Sequence, residues 1–520
     1  MTRSGFATWT VASIALAAVA SAQTGFEGEW WLDAARGRNL PPGMEQTMTI
    51  SGEGDAGGLH VQTTIVTDFG ERVQDDRYDF DGAEHEARSA GAGSGVRTAA
   101  RDGARAFHSV DHLKGLNGET SIERAWKLSE DGRDLTIDLT ASGFAGRTET
   151  VRVFTRGGAA PAALAPIPSR MFPVDMRVPV APSPFRQDGK VQLVYEIDLW
   201  NFRAGEVEWK RLEVLDAQGA SLATFEGDGL QSILARPGAP SDRAQPRRIG
   251  AGTSAVAFLW LAIDGPAPQA LRHRAVFTLP AASFGAERVV EGGLVPVGAP
   301  APVLGPPARG QGWVVRWLSN SSFHRRGFFP VDGRAQISQR FAIDWNRYDE
   351  NGVEQSGDAS DNATYSVYGQ EVIAVADGTV AKVIDGVTQN APPNTAAGVG
   401  LDPELALGNC VVLGLPGGLY ATYAHLEPGS LRVKLGESVR RGQTLGRVGN
   451  SGNATGPHLH FHLATGPGLE GEGVPYVFDS FERLGAESTD GGVPAWGPTS
   501  AKPARVSGEL PAEHSVVAFS

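Results

Sequence analysis

The chain contains 520 residues, more than one hydrophobic core can serve, so its length predicts about three domains. A formal net charge of −13 argues against nucleic acid or an anionic membrane surface as the main partner. Cys410 is the only cysteine, which excludes an intramolecular disulfide bond.

Residues 1–22 have the pattern of an export signal peptide. Arg3 is followed by the apolar run "FATWTVASIALAAVA", and Ala20-Ser21-Ala22 fits the small–x–small rule for cleavage. No later segment is apolar over the length needed to span a bilayer. We therefore expect an exported protein, periplasmic or extracellular, with no integral membrane segment in the mature chain.

Residues 23–157 alternate strand-like segments with turn signals. In "LHVQTTIV", for example, Leu59, Val61 and Ile65 fall on one face of a strand. The opening "FEGEWWLD" is similar to the glycine-x-tryptophan start of lipocalin-like barrels. We expect a lipocalin-like β-barrel domain over 23–157.

A Pro/Ala/Gly-rich linker over 158–172 precedes a second β domain over 173–300. Its segment "KVQLVYEIDLW" alternates cleanly, and further such segments follow at the spacing of an immunoglobulin-like sandwich. A second linker over 301–312 leads into a third domain over 313–480. A tail rich in Gly, Ala, Pro and Ser, over 481–520, is predicted to be a flexible extension. The fold class is mainly all-β.

The third domain holds the chemically suggestive residues. In "GNSGNATGPHLHFH", residues His458, His460 and His462 alternate with apolar residues, so a β-strand would direct all three imidazoles to one face. Asp344 lies in the apolar segment "QRFAIDW", where an aspartate is costly unless it is paired or bound to a metal. His425 lies in "LYATYAHLEPGS", just after a strand rich in aromatic residues.

The segments "GQEVIAVADGTV", "YAHL" and "VRRGQTLGRVGNSGNATGPHLHFH", with an upstream aspartate, resemble the lysostaphin/LytM-type zinc metalloendopeptidases over roughly 320–470. The resemblance implies a compact duplicated hybrid motif of β-strands. It implies that Asp344 and His460 bind Zn²⁺ and that His458 is the general base toward the attacking water. His425 would orient that water or stabilise the oxyanion. His462 stands where the family usually carries a glutamate.

One position departs from the family pattern. Arg340 stands where the family has its first histidine ligand, and an arginine offers no lone pair to a metal. His324 is the candidate replacement. A two-residue turn at Asp332–Gly333 would pair residue 324 with residue 341, one step from Arg340. A degenerate metal-free site and a weak two-ligand site remain the alternatives.

The leading hypothesis is an exported zinc metalloendopeptidase that hydrolyses amide bonds in peptidoglycan peptide cross-links. The N-terminal β domains would then position the enzyme, restrain access to its groove or bind an envelope protein partner. The alternative is a catalytically degenerate wall-binding or regulatory protein of the same fold. A third interpretation is an adhesive scaffold in which the β domains dominate.

Overall fold

The computed structural model describes residues 25–53, 57–89, 92–157, 167–168, 171–238, 244–281, 287–395, 403–488, 494–497 and 503–520. β-Strands dominate this part of the chain, which confirms the mainly β fold class. Its α-helices are short: α1 (Gly227–Ile233), α2 (Phe323–Arg326) and α3 (Pro403–Ala406). Within these ranges no helix has the length and apolar character to cross a membrane. The export signal expected at 1–22 and most of the linker expected at 158–172 lie outside the described residues.

The first unit is a nearly closed barrel, which confirms the lipocalin-like prediction. Its strands pair antiparallel in the order β4-β3-β2-β1-β10-β9-β8-β7-β6-β5, and β4 and β5 adjoin where the sheet stays open. Inward-facing Leu59, Val61 and Ile65 are buried while Gln62 between them is exposed, as the period-two pattern predicts. The strands are β1 (Gly28–Leu32), β2 (Glu45–Glu53), β3 (Gly58–Thr67), β4 (Gly70–Tyr78), β5 (His85–Ser89), β6 (Gly93–Arg101), β7 (Ala106–Gly115), β8 (Gly118–Leu128), β9 (Asp134–Gly143) and β10 (Gly146–Arg156).

The second unit is a β-sandwich. One sheet has the order β11-β21-β20-β15-β16, with β18 beside β15 and β22 beside β20; the other has the order β12-β14-β19-β17, with β13 beside β14. Leu193 of β14 and Leu212 of β15 belong to one buried cluster, which shows that the two sheets share a core. The strands are β11 (Ile167–Pro168), β12 (Val174–Arg177), β13 (Phe185–Gln187), β14 (Lys190–Asn201), β15 (Val207–Asp216), β16 (Ser221–Glu226), β17 (Leu234–Ala235), β18 (Arg248–Ile249), β19 (Ser254–Ile263), β20 (Ala270–Thr278), β21 (Arg288–Glu291) and β22 (Val295–Pro296).

The third unit is built on a ten-stranded sheet in the order β32-β29-β30-β31-β34-β27-β24-β38-β36-β37. Its strands and those of three short two-stranded sheets are β23 (Val303–Leu304), β24 (Gly310–Arg316), β25 (Phe329–Val331), β26 (Arg334–Gln336), β27 (Ile343–Arg347), β28 (Glu371–Ile373), β29 (Gly378–Ile384), β30 (Asn409–Leu415), β31 (Leu419–Leu426), β32 (Ser438–Val439), β33 (Thr444–Arg447), β34 (Leu459–Ala464), β35 (Val477–Phe478), β36 (Phe481–Ala486), β37 (Ala504–Val506) and β38 (Ser515–Phe519). The central strands β31, β34 and β27 carry the histidines and the aspartate singled out above.

Two segments differ from their predicted roles. Residues 481–520, expected to be a flexible tail, supply β36, β37 and β38, and β38 pairs with β24 next to the middle of the sheet. Residues 301–312, expected to be a linker, supply β23 and the buried Leu304 and Ala308 to the core of the third unit. Gly and Pro content alone does not distinguish short strands joined by turns from a mobile chain.

The sandwich and the third unit share buried surface. Strand β14 turns one face to the sandwich core and also buries part of its opposite face, at Gln192, Val194 and Glu196. Val194 on that opposite face, with Phe185 of β13, belongs to the hydrophobic core of the third unit. The sandwich is therefore packed directly behind the sheet that holds the candidate site.

Candidate metal centre

The histidine strand β34 runs between β31 and β27. His460 pairs with Asp344 of β27 on one side and with Ala424 of β31 on the other. Leu459 and Phe461 point to the opposite face and are fully buried in the core. Because neighbouring strands lie about 4.8 Å apart, this register brings Asp344 and His460 to one spot. His425, the residue after Ala424, would point to the opposite face of a regular strand, but its φ of 63° breaks the alternation, and its ring lies 5.7 Å from that of His460.

Three side chains offer donor atoms to one point. The donor atoms of His324, Asp344 and His460 all lie within 4.8 Å of one another. His460 Nδ1 is 2.9 Å from Asp344 Oδ1, and His324 Nε2 is 3.7 Å from the same oxygen. Two donors that bind one tetrahedral zinc ion at about 2.1 Å are separated by roughly 3.4 Å, so the donor set fits this ion.

His324 reaches the site from helix α2. The Ser322 side chain accepts a hydrogen bond from the main chain of Arg325 and begins this helix, and His324 is buried with its ring 4.9 Å from that of His460. The predicted route is wrong. Asp332–Gly333 does form a two-residue turn, but its hairpin pairs only Phe329–Val331 with Arg334–Gln336 and does not extend to residue 324.

Arg340 points away from the donor set toward the sandwich. Its Nε and Nη2 donate to the two oxygens of Glu196 on β14 at 3.0 and 3.1 Å, and Nη2 also donates to Glu472 at 2.7 Å. Glu196 also accepts from Arg325, the residue after His324. Burial opposes the ionisation of Glu196, but both arginines hold the pKa of its carboxyl below the usual value. One sandwich carboxylate thus anchors the helix that carries His324.

Glu196→Gln is expected to weaken metal binding about 10–100-fold, the usual cost of changing a residue that supports a ligand. The reason is that Arg325 loses its buried counter-charge, so α2 no longer holds His324 in place. The measurement is zinc affinity by competition with a chromophoric chelator, with the melting temperature recorded in parallel.

Glu226→Gln, at an exposed position of the same sandwich, is the matched control and is expected to change neither quantity. A Glu196→Gln protein that melts earlier but binds zinc with unchanged affinity would show that Glu196 supports only the domain contact.

His458 and His425 are held in one tautomer by main-chain carbonyls. His458 Nδ1 donates to Gly456 O at 2.9 Å, and His425 Nδ1 donates to Ser451 O at 2.8 Å. A carbonyl oxygen only accepts, so in each neutral ring Nε2 keeps its lone pair. His458 Nε2 is 3.5 Å from Asp344 Oδ1. The imidazole rings of His458 and His425 are 4.7 Å apart.

His462 contacts the candidate ligand His460. Its Nδ1 is 2.9 Å from His460 Nε2. If His460 binds a metal through Nδ1, then its Nε2 carries the proton and His462 Nδ1 accepts it. A supporting contact to a ligand is the one role that the sequence left open for His462, and this geometry is compatible with it.

The electrostatics of the site favour a cation. Burial opposes the ionisation of Asp344, but His324, His458 and His460 hold the pKa of its carboxyl well below the usual value. Burial lowers the pKa of His324 to about 4, and burial with His458 and His460 lowers the pKa of His425 well below its usual value. Near neutral pH the site therefore combines the carboxylate of Asp344 with neutral imidazoles at His324 and His425, and a carboxylate beside a neutral imidazole is what metal binding requires.

The donor set lies in a groove of about 1180 Å³. Trp317 and Phe323 line it and are exposed by 54% and 62%, and Glu487 and His514 from the last segment of the chain line it too. Sequence reasoning missed these four residues. No spacing marks them, since they come from separate segments, and the segment that supplies Glu487 and His514 was expected to be flexible.

Residues 363–471 match peptidase family M23. The chain is 32% identical over 99 residues to the cell division protein DipM of Caulobacter vibrioides, covering 18% of this chain and 16% of DipM. It is 49% identical over 57 residues to the peptidoglycan DD-endopeptidase ShyA of Vibrio cholerae, covering 11% of this chain and 13% of ShyA. The catalytic domain of lysostaphin from Staphylococcus simulans has 21% identity, 23% coverage of this chain, 80% coverage of that domain and a TM-score of 0.15.

These matches have a limited span. The aligned segments account for less than a fifth of either curated relative. The family match contains His425, His458, His460 and His462 but begins after His324, Arg340 and Asp344. The departure at Arg340 and the position of His324 therefore rest on the geometry described above.

Proposed function

Because residues 363–471 are a LytM-type domain of peptidase family M23, we propose that the protein is a zinc metalloendopeptidase that hydrolyses amide bonds in peptidoglycan cross-links. One observation carries this proposal. The donor atoms of His324, Asp344 and His460 converge within 4.8 Å, in the same groove as His458 and His425. Three protein ligands with an open fourth position are the arrangement of catalytic zinc sites.

His324 Nε2, Asp344 Oδ1 and His460 Nδ1 would hold the ion. When bound, zinc supplies a Lewis acid that polarises a carbonyl and makes water more acidic. The donor set suits a divalent cation, because one carboxylate and two imidazoles that are neutral when they bind a metal would offset only part of the charge of Zn²⁺. Arg340 takes no part in binding, since both ends of its guanidinium are engaged by Glu196 and Glu472.

His458 would act as the general base. Its Nδ1–H is fixed on Gly456 O, so Nε2 faces the donor set with a free lone pair. There it can take a proton from an attacking water and later give that proton to the leaving amine. The carboxylate of Asp344, 3.5 Å from Nε2, would stabilise the imidazolium that forms in between.

His425 is better suited to orienting the water than to stabilising an oxyanion. Its Nδ1–H is used by Ser451 O, and its low pKa keeps Nε2 unprotonated near neutral pH. An unprotonated Nε2 accepts a hydrogen bond from water but has no hydrogen to donate to an oxyanion. Of the two roles that the family resemblance left open, this geometry supports the first.

The groove supports an extended peptide as substrate. Its volume of about 1180 Å³ exceeds that of most small-molecule pockets, which hold roughly 300–1,000 Å³. ShyA is named a peptidoglycan DD-endopeptidase, and that name supports a wall peptide as the substrate class. Peptidoglycan lies outside the cytoplasm, so the proposal includes export to the periplasm or beyond. The barrel and sandwich would position the enzyme or bind an envelope partner.

The test is metal content together with turnover of purified peptidoglycan. We expect about one zinc per chain, release of soluble wall fragments, loss of release after chelation, and recovery when zinc is added back. The alternative, a degenerate wall-binding protein, is favoured by the loss of the family's first ligand position to Arg340. Wall binding that persists without metal and without any cleavage would establish that alternative.

A further inference from the structure

The interior of the N-terminal barrel contains a cavity of about 270 Å³. Its wall is mixed, with an apolar side and a charged side. The apolar side includes Met48, Val61, Ile65, Trp126, Ile137 and Leu139. A cavity of this size lies near the lower end of the roughly 300–1,000 Å³ of small-molecule sites. It lies in a different unit from the metal centre.

Two of the arginines inside the barrel are neutralised by two aspartates. Arg97 donates to Asp111 at 2.6 Å and to Asp76 at 2.8 Å. Arg124 donates to the second oxygen of Asp111 at 2.7 Å. These four buried side chains satisfy one another's charges, and the network has no net charge. Its role in stabilising the barrel interior accounts for it without a ligand.

Arg152 is the surplus cation of the cavity. Its Nη1 donates to the neutral side chain of Gln46 at 3.0 Å. Its Nε is buried and has no hydrogen-bond partner among the described residues, none of which forms an ion pair with Arg152. Burial, with the charges of Arg124 and Arg72, lowers the pKa of Arg152 to about 10, so it still carries its charge near neutral pH.

A guanidinium that is partly buried without a counter-ion is costly, and a nearby anion reduces that cost. The charged side favours a ligand with a negative charge at Arg152, because this arginine has no counter-ion among the described residues, while Arg72, which also lines the cavity, is exposed to water. The apolar side favours the hydrocarbon chain of a ligand over water, since water makes no hydrogen bonds with Met48, Val61 or Ile65.

Apolar side chains lie at one end of the barrel, close to the cavity. Thr120 and Ala141 line the cavity close to two hairpin tips. Leu116, at the tip between β7 and β8, and Phe144, at the tip between β9 and β10, are almost fully exposed. An apolar chain entering at this end would meet apolar side chains first.

We propose that the barrel binds a small single-chain carboxylate, with its head group on Arg152 and its hydrocarbon chain against the apolar wall. A charge-assisted, bidentate contact with the guanidinium would fix the head group. The cavity volume limits the ligand to a chain of medium length. This site does not depend on the proposed peptidase activity.

The probe is decanoate below its micellar concentration, titrated by calorimetry into the full-length protein. We expect one site per chain, and Arg152→Gln is expected to weaken binding about 10–100-fold, as for loss of a hydrogen bond to a charged group. The uncharged 1-decanol should bind wild type and Arg152→Gln alike. Arg147→Gln, at an exposed position of the same strand, is the matched control and should bind decanoate normally.

Absence of decanoate binding to the wild type, or equal binding by Arg152→Gln, would overturn the proposal. Arg152→Lys is a second variant that tests the proposal if Arg152→Gln does not fold. It keeps the positive charge, and we expect it to bind decanoate within about tenfold of the wild type, since only the bidentate geometry is lost. Equal affinity of the lysine variant for decanoate and for 1-decanol would also contradict a role for the charge.

Discussion

Replacing His324 by alanine is expected to leave the protein folded and without its metal. Asp344 and His460 would remain, but two protein ligands do not complete a catalytic zinc site. Mutating a residue that only supports a metal ligand typically weakens metal binding roughly 10–100-fold. Loss of the ligand His324 itself should therefore lower the affinity for zinc by more than this. Wall hydrolysis should be lost with the metal. The measurement is zinc per chain after equilibration at a fixed free zinc concentration.

The matched control is His514→Ala. His514 lines the same groove but hydrogen bonds to Glu487 and contributes no donor to the cluster. This variant should keep its zinc. If His324→Ala retains zinc at full occupancy, then His324 does not replace the ligand position lost to Arg340, and a two-ligand site becomes the better description.

His458→Gln is expected to keep the metal and lose most of its activity. Removal of a positioned general base typically costs about 10²–10⁴-fold in rate. Because His458 is not one of the three converging donors, zinc per chain should stay at the wild-type value. The measurement is the rate at which soluble fragments are released from purified peptidoglycan by protein of known zinc content.

His425→Gln serves as a comparison. It should also slow release, because the orienting contact is lost, while zinc content again stays unchanged. A His458→Gln enzyme that works within tenfold of the wild type at equal zinc occupancy would exclude His458 as the base and point to His425.

The strand periodicity of the sequence predicted much of the fold. Leu59, Val61 and Ile65 face the barrel core, and Leu193 of β14 faces the sandwich core, as alternation predicts. Alternation failed where a strand is buried on both faces. Val194 is also buried, because the third unit packs against the second face of β14, and such a contact is set by residues more than a hundred positions away.

Strand alternation also predicted part of the candidate site. Alternation placed His458, His460 and His462 on one face, and the cost of a buried aspartate singled out Asp344. Which strand lies beside which is a long-range property, so the pairing of Asp344 with His460 came from the family resemblance. The route of His324 was missed because the sequence gives no strong helix signal around the four-residue α2.

The role of Arg340 could not be read from the sequence at all. Its chemistry shows that it cannot bind zinc, and nothing near it in the chain shows what it binds instead. The partner, Glu196, is 144 positions away in the sandwich.

The salt-bridge cluster at Glu196 makes the third unit depend on the sandwich. A fragment beginning at residue 313 would keep Arg325 and Arg340 but leave behind their shared anion, along with the apolar cover from Phe185 and Val194. In most modular hydrolases a domain can be excised and fused elsewhere. Here the third unit shares a buried ion cluster and apolar surface with the sandwich, and the sandwich is joined in turn to the barrel by the buried pair of Arg288 with Asp68, so the third unit cannot be exchanged without its neighbour.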